Sequence, residues 1–524
     1  MTLPDSPKTP APQADSPTVN VFAVHGVEPE IQAYAMAKYS RSALSMKESL
    51  HELSEQRAEQ FLNTFYFQYG HRSIADLAHI AMAVERLSLL AAIVLVDESR
   101  WDGQERSTRY QNFRKSGYHT PGLGDEKSLE LYRKTATFLF AEYEAFSQLM
   151  FEHLAGLTPR PDEMKPDAYE RTLKARAFDL SRYLLPLATN TSLGQIVNAR
   201  TLENQITRLL SHTHPEVRNL GALLRTAATQ PAYNVNHEAF AGLVEEVRAL
   251  DKELGERAER QLLKDVRVAP TLVKYAEASP YEMTTRRELR QAAVELMGNS
   301  AVAPSRPVEL ISEDPLETEV ATTLLYQHCH FSYAQIRDQV ASLPEKRCQE
   351  LMDMGLRHRG PHDELLRPFS AGQGFRFDIL MDIGGFRDMH RHRRCIQIEQ
   401  DFTTAHGYDI PPEILAAGAA TRYSAAMERA AAAARVLSGK TDDPLAISAE
   451  AQYLIPLAFR KRALFKMDFA EALYIAELRT TPAGHYSYRQ IAYGMYEEVA
   501  KKHPGLAKYF RVKDIREPVD LLKR

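Results

Sequence analysis

Apolar residues three and four apart, set among Ala, Leu, Glu, Arg and Lys, run through residues 129–155, 170–185, 240–262, 415–438 and 465–478. That spacing puts one apolar face on a 3.6-residue period, so each segment is predicted helical. Residues 240–265 are strongly charged and read as an exposed helix. Two short apolar runs read as strands, 19–25 (Val-Asn-Val-Phe-Ala-Val-His) and 307–312 (Pro-Val-Glu-Leu-Ile-Ser). Phe375–Met389 is apolar at Phe375, Phe377, Ile379, Leu380, Ile383 and Phe386 and reads as a buried helix. Few strands and many helices predict an α+β fold.

The pattern is written twice. Tyr183-Leu-Leu-Pro-Leu-Ala188 returns as Tyr453-Leu-Ile-Pro-Leu-Ala458, and Val27-Glu-Pro-Glu-Ile31 returns as Leu316-Glu-Thr-Glu-Val320. The expected organisation is a disordered, Pro/Ser/Thr-rich tail over 1–18, copy 1 over 19–265, a linker over 266–305, copy 2 over 306–510 and a C-terminal tail over 511–524. Each copy is expected to carry one small sheet. The polar clusters are not repeated. Copy 1 holds Glu105-Arg-Ser-Thr-Arg-Tyr110 and copy 2 holds Arg391-His-Arg-Arg394. A site needing both clusters forms only where the copies meet.

Composition narrows the class without naming a function. A chain of 524 residues with 44% hydrophobic content can bury a large core. Its 65 basic and 69 acidic side chains give a net charge of −4, which argues against wholesale nucleic-acid binding but not against a local anion site. Three cysteines are too few for a disulfide framework and fit a reducing cytoplasm. No run of about 18 apolar residues marks a membrane span, and the N-terminus lacks the order of a signal peptide.

Glu105, Ser107 and Arg109 stand at alternate positions, so an extended backbone would turn them to one side. A guanidinium fork beside a hydroxyl suits a phosphate; a Glu105–Arg109 pair on a solvated loop is the plainer alternative. Arg391–Arg394 reads either as cations at a helix C-terminus, where the dipole favours them, or as a cluster whose self-repulsion an anion relieves. His390 and His392 beside three arginines make a poor metal site, and none is expected. Cys395 adjoins these cations, which lower a thiol's pKa; packing is the alternative.

In this order the residues resemble the flavin-dependent thymidylate synthases. Copy 1 carries the Gly-His element as Gly70-His71, the Glu-x-Ser-x-Arg-Tyr element as Glu105, Ser107, Arg109 and Tyr110, an arginine before Leu-Pro as Arg182, and the asparagine region as Asn198-Ala-Arg200 and Asn204. Where Arg-His-Arg should stand it has Asp97-Glu98-Ser99. Copy 2 supplies that motif as Arg391-His392-Arg393, with Glu399 at the right interval and Arg479 as the late arginine. It has Asp401 and Thr403 for the Ser and Arg, Gln452 for the arginine before Pro, and Asp468 and Tyr474 for the asparagines. Asp388 replaces a glutamine usual at the substrate.

The resemblance implies two tandem, complementary copies and reductive methylation of dUMP to dTMP, with FAD as cofactor and NADPH and methylenetetrahydrofolate as co-substrates. Arg391 would stabilise enolate character on the uracil, and Ser107 and Arg109 would hold the phosphate; these three are the expected catalytic residues. Glu105, Arg182 and Arg479 would complete the substrate site. His71, Asn198, Asn204, Arg391, His392 and Arg393 would hold FAD. A cytoplasmic homodimer forming a pseudo-tetramer is implied, with neither nucleic acid nor membrane as partner. Two other readings stay open, a flavin enzyme acting on another uridine nucleotide and a catalytically inactive nucleotide- or flavin-binding protein.

Overall fold

The computed structural model describes residues 26–38, 72–298, 300–311, 314–360, 366–369, 374–439, 443–508 and 510–522. The expected tail over 1–18, the strand at 19–25 and His71 lie outside them. Copy 1 holds strands β1 (His79–Ser88), β2 (Asp102–Glu105) and β3 (Asn190–Asn198), with helices α1 (Leu89–Leu95), α2 (Glu126–Leu157), α3 (Pro166–Ser181), α4 (Ala199–Leu210) and α5 (Pro215–Thr229). The linking segment carries helix α6 (Pro280–Met297). Copy 2 holds β4 (Val308–Leu310), β5 (Phe375–Asp382), β6 (Ile396–Glu399) and β7 (Arg460–Met467), with α7 (Ile383–Met389), α8 (Ala420–Ser438), α9 (Ala449–Gln452), α10 (Phe469–Arg479) and α11 (Tyr486–Lys502). The fold is α+β, helix-rich with two small antiparallel sheets, ordered β1-β3-β2 and β4-β5-β7-β6.

The two repeated hexapeptides touch each other. Leu187 N donates to Ile455 O at 2.9 Å and Leu457 N to Leu185 O at 3.0 Å; Ala188 N donates to Tyr453 O at 2.8 Å and Ala458 N to Tyr183 O at 3.2 Å. Each bond has its mirror in the other copy, and Pro186 faces Pro456 at the centre. The pairing is that of a self-complementary twofold interface, here within one chain. On either side of this strap the copies repeat the same construction. Leu89 and Leu90 donate to Thr189 and Leu187, as Ile383 and Gly384 donate to Phe459 and Leu457. One hydrophobic core runs through both copies, with Leu185, Leu187, Leu454 and Leu457 fully buried.

Three helix expectations are corrected. Phe375–Met389 is not one helix: Phe375–Asp382 is a strand, and the helix starts at Ile383. Phe375, Phe377, Ile379 and Met381 alternate with period two, but the intervening Arg376 and Asp378 are also buried, so no exposed face advertises the strand. Arg376 pairs with Glu319 at 2.8 Å, and Arg462 with Asp378 at 2.9 Å. For the same reason 465–478 splits into the end of β7 and nearly all of α10, with Asp468 capping the helix by accepting from Glu471 N. The linking segment itself holds α6, which Ser279 caps with Pro280 in its first turn. The charged 240–262 segment is two helices, His237–Leu250 and Lys252–Leu262, broken at Asp251.

Candidate functional site

Where the copies meet, arginines from both surround Asp388. This aspartate sits at the end of α7 and is 7% exposed. Burial would raise its pKa, but Arg182, Arg109, Arg391 and Arg479 overrule burial and hold the carboxyl below its usual range. Arg182 follows α3 in copy 1, is 2% exposed, and places Nη1 3.6 Å from Asp388 Oδ2. Arg479, the last residue of α10 in copy 2, donates from Nη2 to Asp388 O at 2.7 Å and from Nε to His392 Nε2 at 2.8 Å. Arg391 faces solvent just beyond α7.

A second buried carboxylate steadies the copy 1 side. Arg109 donates from Nε and Nη2 to the two oxygens of Asp179, each at 3.0 Å, and from Nη1 to Tyr488 OH in copy 2 at 3.0 Å. Burial raises Asp179, while His485, Arg182 and Arg109 bring it down to about 2. Burial in turn lowers His485 to about 3, so its imidazole is neutral at pH 7. The Tyr488 ring lies between Arg109 at 5.6 Å and Arg479 at 5.4 Å, within cation–π range of both. Arg387 crosses the copy boundary to Glu105 and to Thr108 Oγ1. The composite contacts thus form within one chain. Arg182 keeps Nη2 buried without a hydrogen bond, and Asp388 Oδ2 is in the same state. A buried guanidinium N–H aimed at no acceptor is costly, so this cluster fits an anionic ligand with acceptors to offer.

The comparisons with known proteins coincide with the two copies. The model of the family described as thymidylate synthase complementing protein matches residues 24–231 and again 316–505. The chain belongs to that family. It is 28% identical to a UPF0159 protein of Chlamydia muridarum, over 96% of this chain and 93% of the relative. It is 25% identical to a flavin-dependent thymidylate synthase of Clostridium tetani, over 40% of this chain and 80% of that one. Among solved structures, Helicobacter pylori ThyX with FAD and dUMP is 17% identical, covers 38% of this chain and 89% of its own, and has a TM-score of 0.27. A UMP/dUMP methylase, PolB of Streptomyces cacaoi, bound with 5-Br dUMP, is 15% identical, covers 38% and 84%, and has a TM-score of 0.28.

Within this family member the named residues fall into two sets. Glu105, Arg109, Arg182, Arg391, His392 and Arg479 come together around Asp388 and Asp179. Ser107 stands beside them but not as expected: β2 ends at Glu105, and Ser107 Oγ accepts from Arg109 N at 3.2 Å, closing a turn. Alternation therefore stops before Ser107 and Arg109. The residues expected to hold flavin are largely engaged by the chain. His392 accepts from Arg479 and has Nδ1 3.4 Å from Glu471 Oε1. Arg393 donates to His390 O at 2.9 Å and lies 5.3 Å over the Trp101 ring. Asn198 caps α4 by accepting from Thr201 N at 2.8 Å, and Asn204 is half-buried on that helix. Trp101 links the two sides, donating to Gln195, which bonds Gln205 of α4.

Asp97-Glu98, the residues replacing Arg-His in copy 1, are not bare charges. Arg367 holds Asp97 at 2.5 Å and Arg208 holds Glu98 at 2.8 Å. Cys395 is no nucleophile: burial outweighs its cationic neighbours and pushes the thiol up to about 12. Sequence reasoning missed Asp179, Tyr488 and His485. Asp179 lies three residues before Arg182 on one helix face, a spacing that could have flagged it.

Proposed function

We propose that this protein is a flavin-dependent thymidylate synthase-like enzyme that methylates dUMP at a single composite cleft, using FAD, NADPH and methylenetetrahydrofolate. The observation that carries this reading is the convergence of Arg109 and Arg182 from copy 1 with Arg391 and Arg479 from copy 2 around Asp388. The nucleotide phosphate is assigned to the unpartnered Arg182 donor, with Ser107 and Arg109 behind it. Arg391, on the solvent side, is placed to stabilise charge developing on the uracil oxygens. Tyr110, 50% exposed, and Tyr474, 53% exposed, flank the cleft beside Arg109 and His392 and suit a planar ring. This outer face fits a flavin, which when reduced would supply the reducing equivalents. His392, Arg393 and Asn198 would then position the groups that touch it rather than bind it themselves.

The reading includes a cytoplasmic homodimer, with the copies as quasi-subunits 19–265 and 306–510. Among the described residues, no helix is long and apolar enough to cross a membrane. The second reading, a binding protein without turnover, is favoured by the closed Arg109–Asp179 pair, which spends the arginine expected to hold phosphate. Release of the C5 proton of dUMP by the flavin-loaded protein decides between them. The enzyme reading expects release, reduced at least 100-fold in Arg182→Ala and Arg391→Ala. Nucleotide binding without proton release would leave only the binding protein.

A further inference from the structure

The pseudo-twofold strap that shapes the arginine cleft shapes a second one on its other side. The landmarks correspond. His214 packs against Tyr453 at 5.7 Å, as His485 packs against Tyr183 at 5.5 Å. Asp401 follows β6 by two residues, as Ser107 follows β2. Gln452 stands for Arg182, so the second cleft lacks the arginine that carries the first. It has not become apolar. Arg286 and Arg290 enter from α6, His212 and His214 from the turn before α5, and His328 and His330 from the stretch before the helix Tyr333–Ala341.

These groups share one electrostatic neighbourhood. Arg290 holds Asp401 at 2.5 Å, and the neighbouring Gln400 donates to Phe331 O at 2.8 Å, which brings Asp401 close to His330. Asp401 is 49% exposed, so water reaches this wall. His330, 4% exposed, keeps Nδ1 without a hydrogen-bond partner, and His328 keeps Nδ1 likewise. Burial lowers the Arg286 pKa, with Arg290 and Arg208 adding to it against Glu282 and Asp401, and Arg286 Nη1 donates to Ser211 O at 2.9 Å beside His212. Unpartnered imidazole nitrogens beside crowded guanidiniums suit an oxyanion. They do not suit a dication. Among the described residues, the three-residue set whose ligand atoms lie within 4.8 Å of one another is Asp97, His390 and Glu399, elsewhere in the fold. That set is already matched by Arg367 and Lys461.

We propose that the second cleft is an oxyanion-binding site for a phosphate-bearing ligand, built from Arg286, Arg290 and the His212–His214 and His328–His330 pairs. It is independent of the arginine cleft and of the function assigned there. The test is calorimetric titration of the full chain with inorganic pyrophosphate in an Arg182→Ala background, which disables the first cleft. Binding should persist, and Arg290→Gln and His328→Gln should each weaken it at least fivefold. Arg290 is 47% exposed, so its substitution leaves the packing intact; His328→Gln is the independent second variant. Absence of pyrophosphate binding in Arg182→Ala, or binding unchanged by both further substitutions, overturns the proposal. Displacement of pyrophosphate by a nucleoside triphosphate would identify a nucleotide as the source of the phosphate; resistance to displacement would point to inorganic phosphates.

Discussion

At the residue scale, buried carboxylates decide which cations stay fixed and which stay available. Asp179 takes both arms of Arg109, whereas Asp388 meets Arg182 only at 3.6 Å, leaving donors on Arg182 open. Asp382 shows a different balance. It caps α7 by accepting from Gly385 N at 2.6 Å and is bonded by Ser487 Oγ. Copy 1 inverts that pair: Ser88 caps α1, and Glu216 on α5 accepts from its hydroxyl at 2.7 Å. Burial, with Asp409 adding to it, raises Asp382 to about 6. A folded pKa above the unfolded value of about 3.9 means the folded state holds the proton more tightly. The resulting stability is fully present below about pH 4 and is lost as pH rises through 6. Asp382→Asn keeps a cap and removes the buried charge, so it should stabilise the protein at pH 7.5 by about 1–3 kcal/mol. Chemical denaturation at the two pH values checks this: the gain should vanish near pH 4, and a variant less stable at pH 7.5 would refute it. Cys395→Ser should leave activity unchanged within twofold, because the thiol is buried and protonated; a steady-state assay reads this directly.

At the scale of elements, the strap is where sequence and structure agree most closely. The hexapeptides could be matched because their apolar positions are all buried and their identity has been kept. What the string could not show is that its two copies bond to each other. Leu187 and Leu457 occupy related places and are both fully buried. Leu187→Ala and Leu457→Ala should therefore cost similar amounts, about 2–5 kcal/mol each, measured by denaturant unfolding. Legibility failed where strands are buried on both faces. In β5, Arg376 and Asp378 are paired inside the protein, so polar residues mark ion pairs there and not a surface. The helix α6 was hidden for a local reason: it lies inside the segment read as a linker, and its start at Ser279-Pro280 is a cap. The candidate site was legible in its arginines because the two clusters differ between copies. Asp179 had only its spacing from Arg182 to mark it, and Tyr488 was not legible, because its role exists only once α3 and α11 are brought together.

At the scale of the whole molecule, the two copies place unlike polar clusters around the pseudo-twofold strap. One gathers arginines from both copies; the other gathers histidines with Arg286 and Arg290. Because Arg109 meets Tyr488 and Arg387 meets Glu105 inside one chain, the first cleft is assembled in cis. A mixture of Arg109→Ala and Arg391→Ala chains should then regain no more activity than the sum of the two, in contrast to a site shared between chains. The central claim is that both copies contribute to one nucleotide cleft, and titration with dUMP tests it most directly. Arg182→Ala in copy 1 and Arg391→Ala in copy 2 should each weaken dUMP binding at least tenfold, with Arg391→Ala, at an exposed residue, also keeping the melting temperature. Either variant binding dUMP as tightly as the unaltered protein would contradict it.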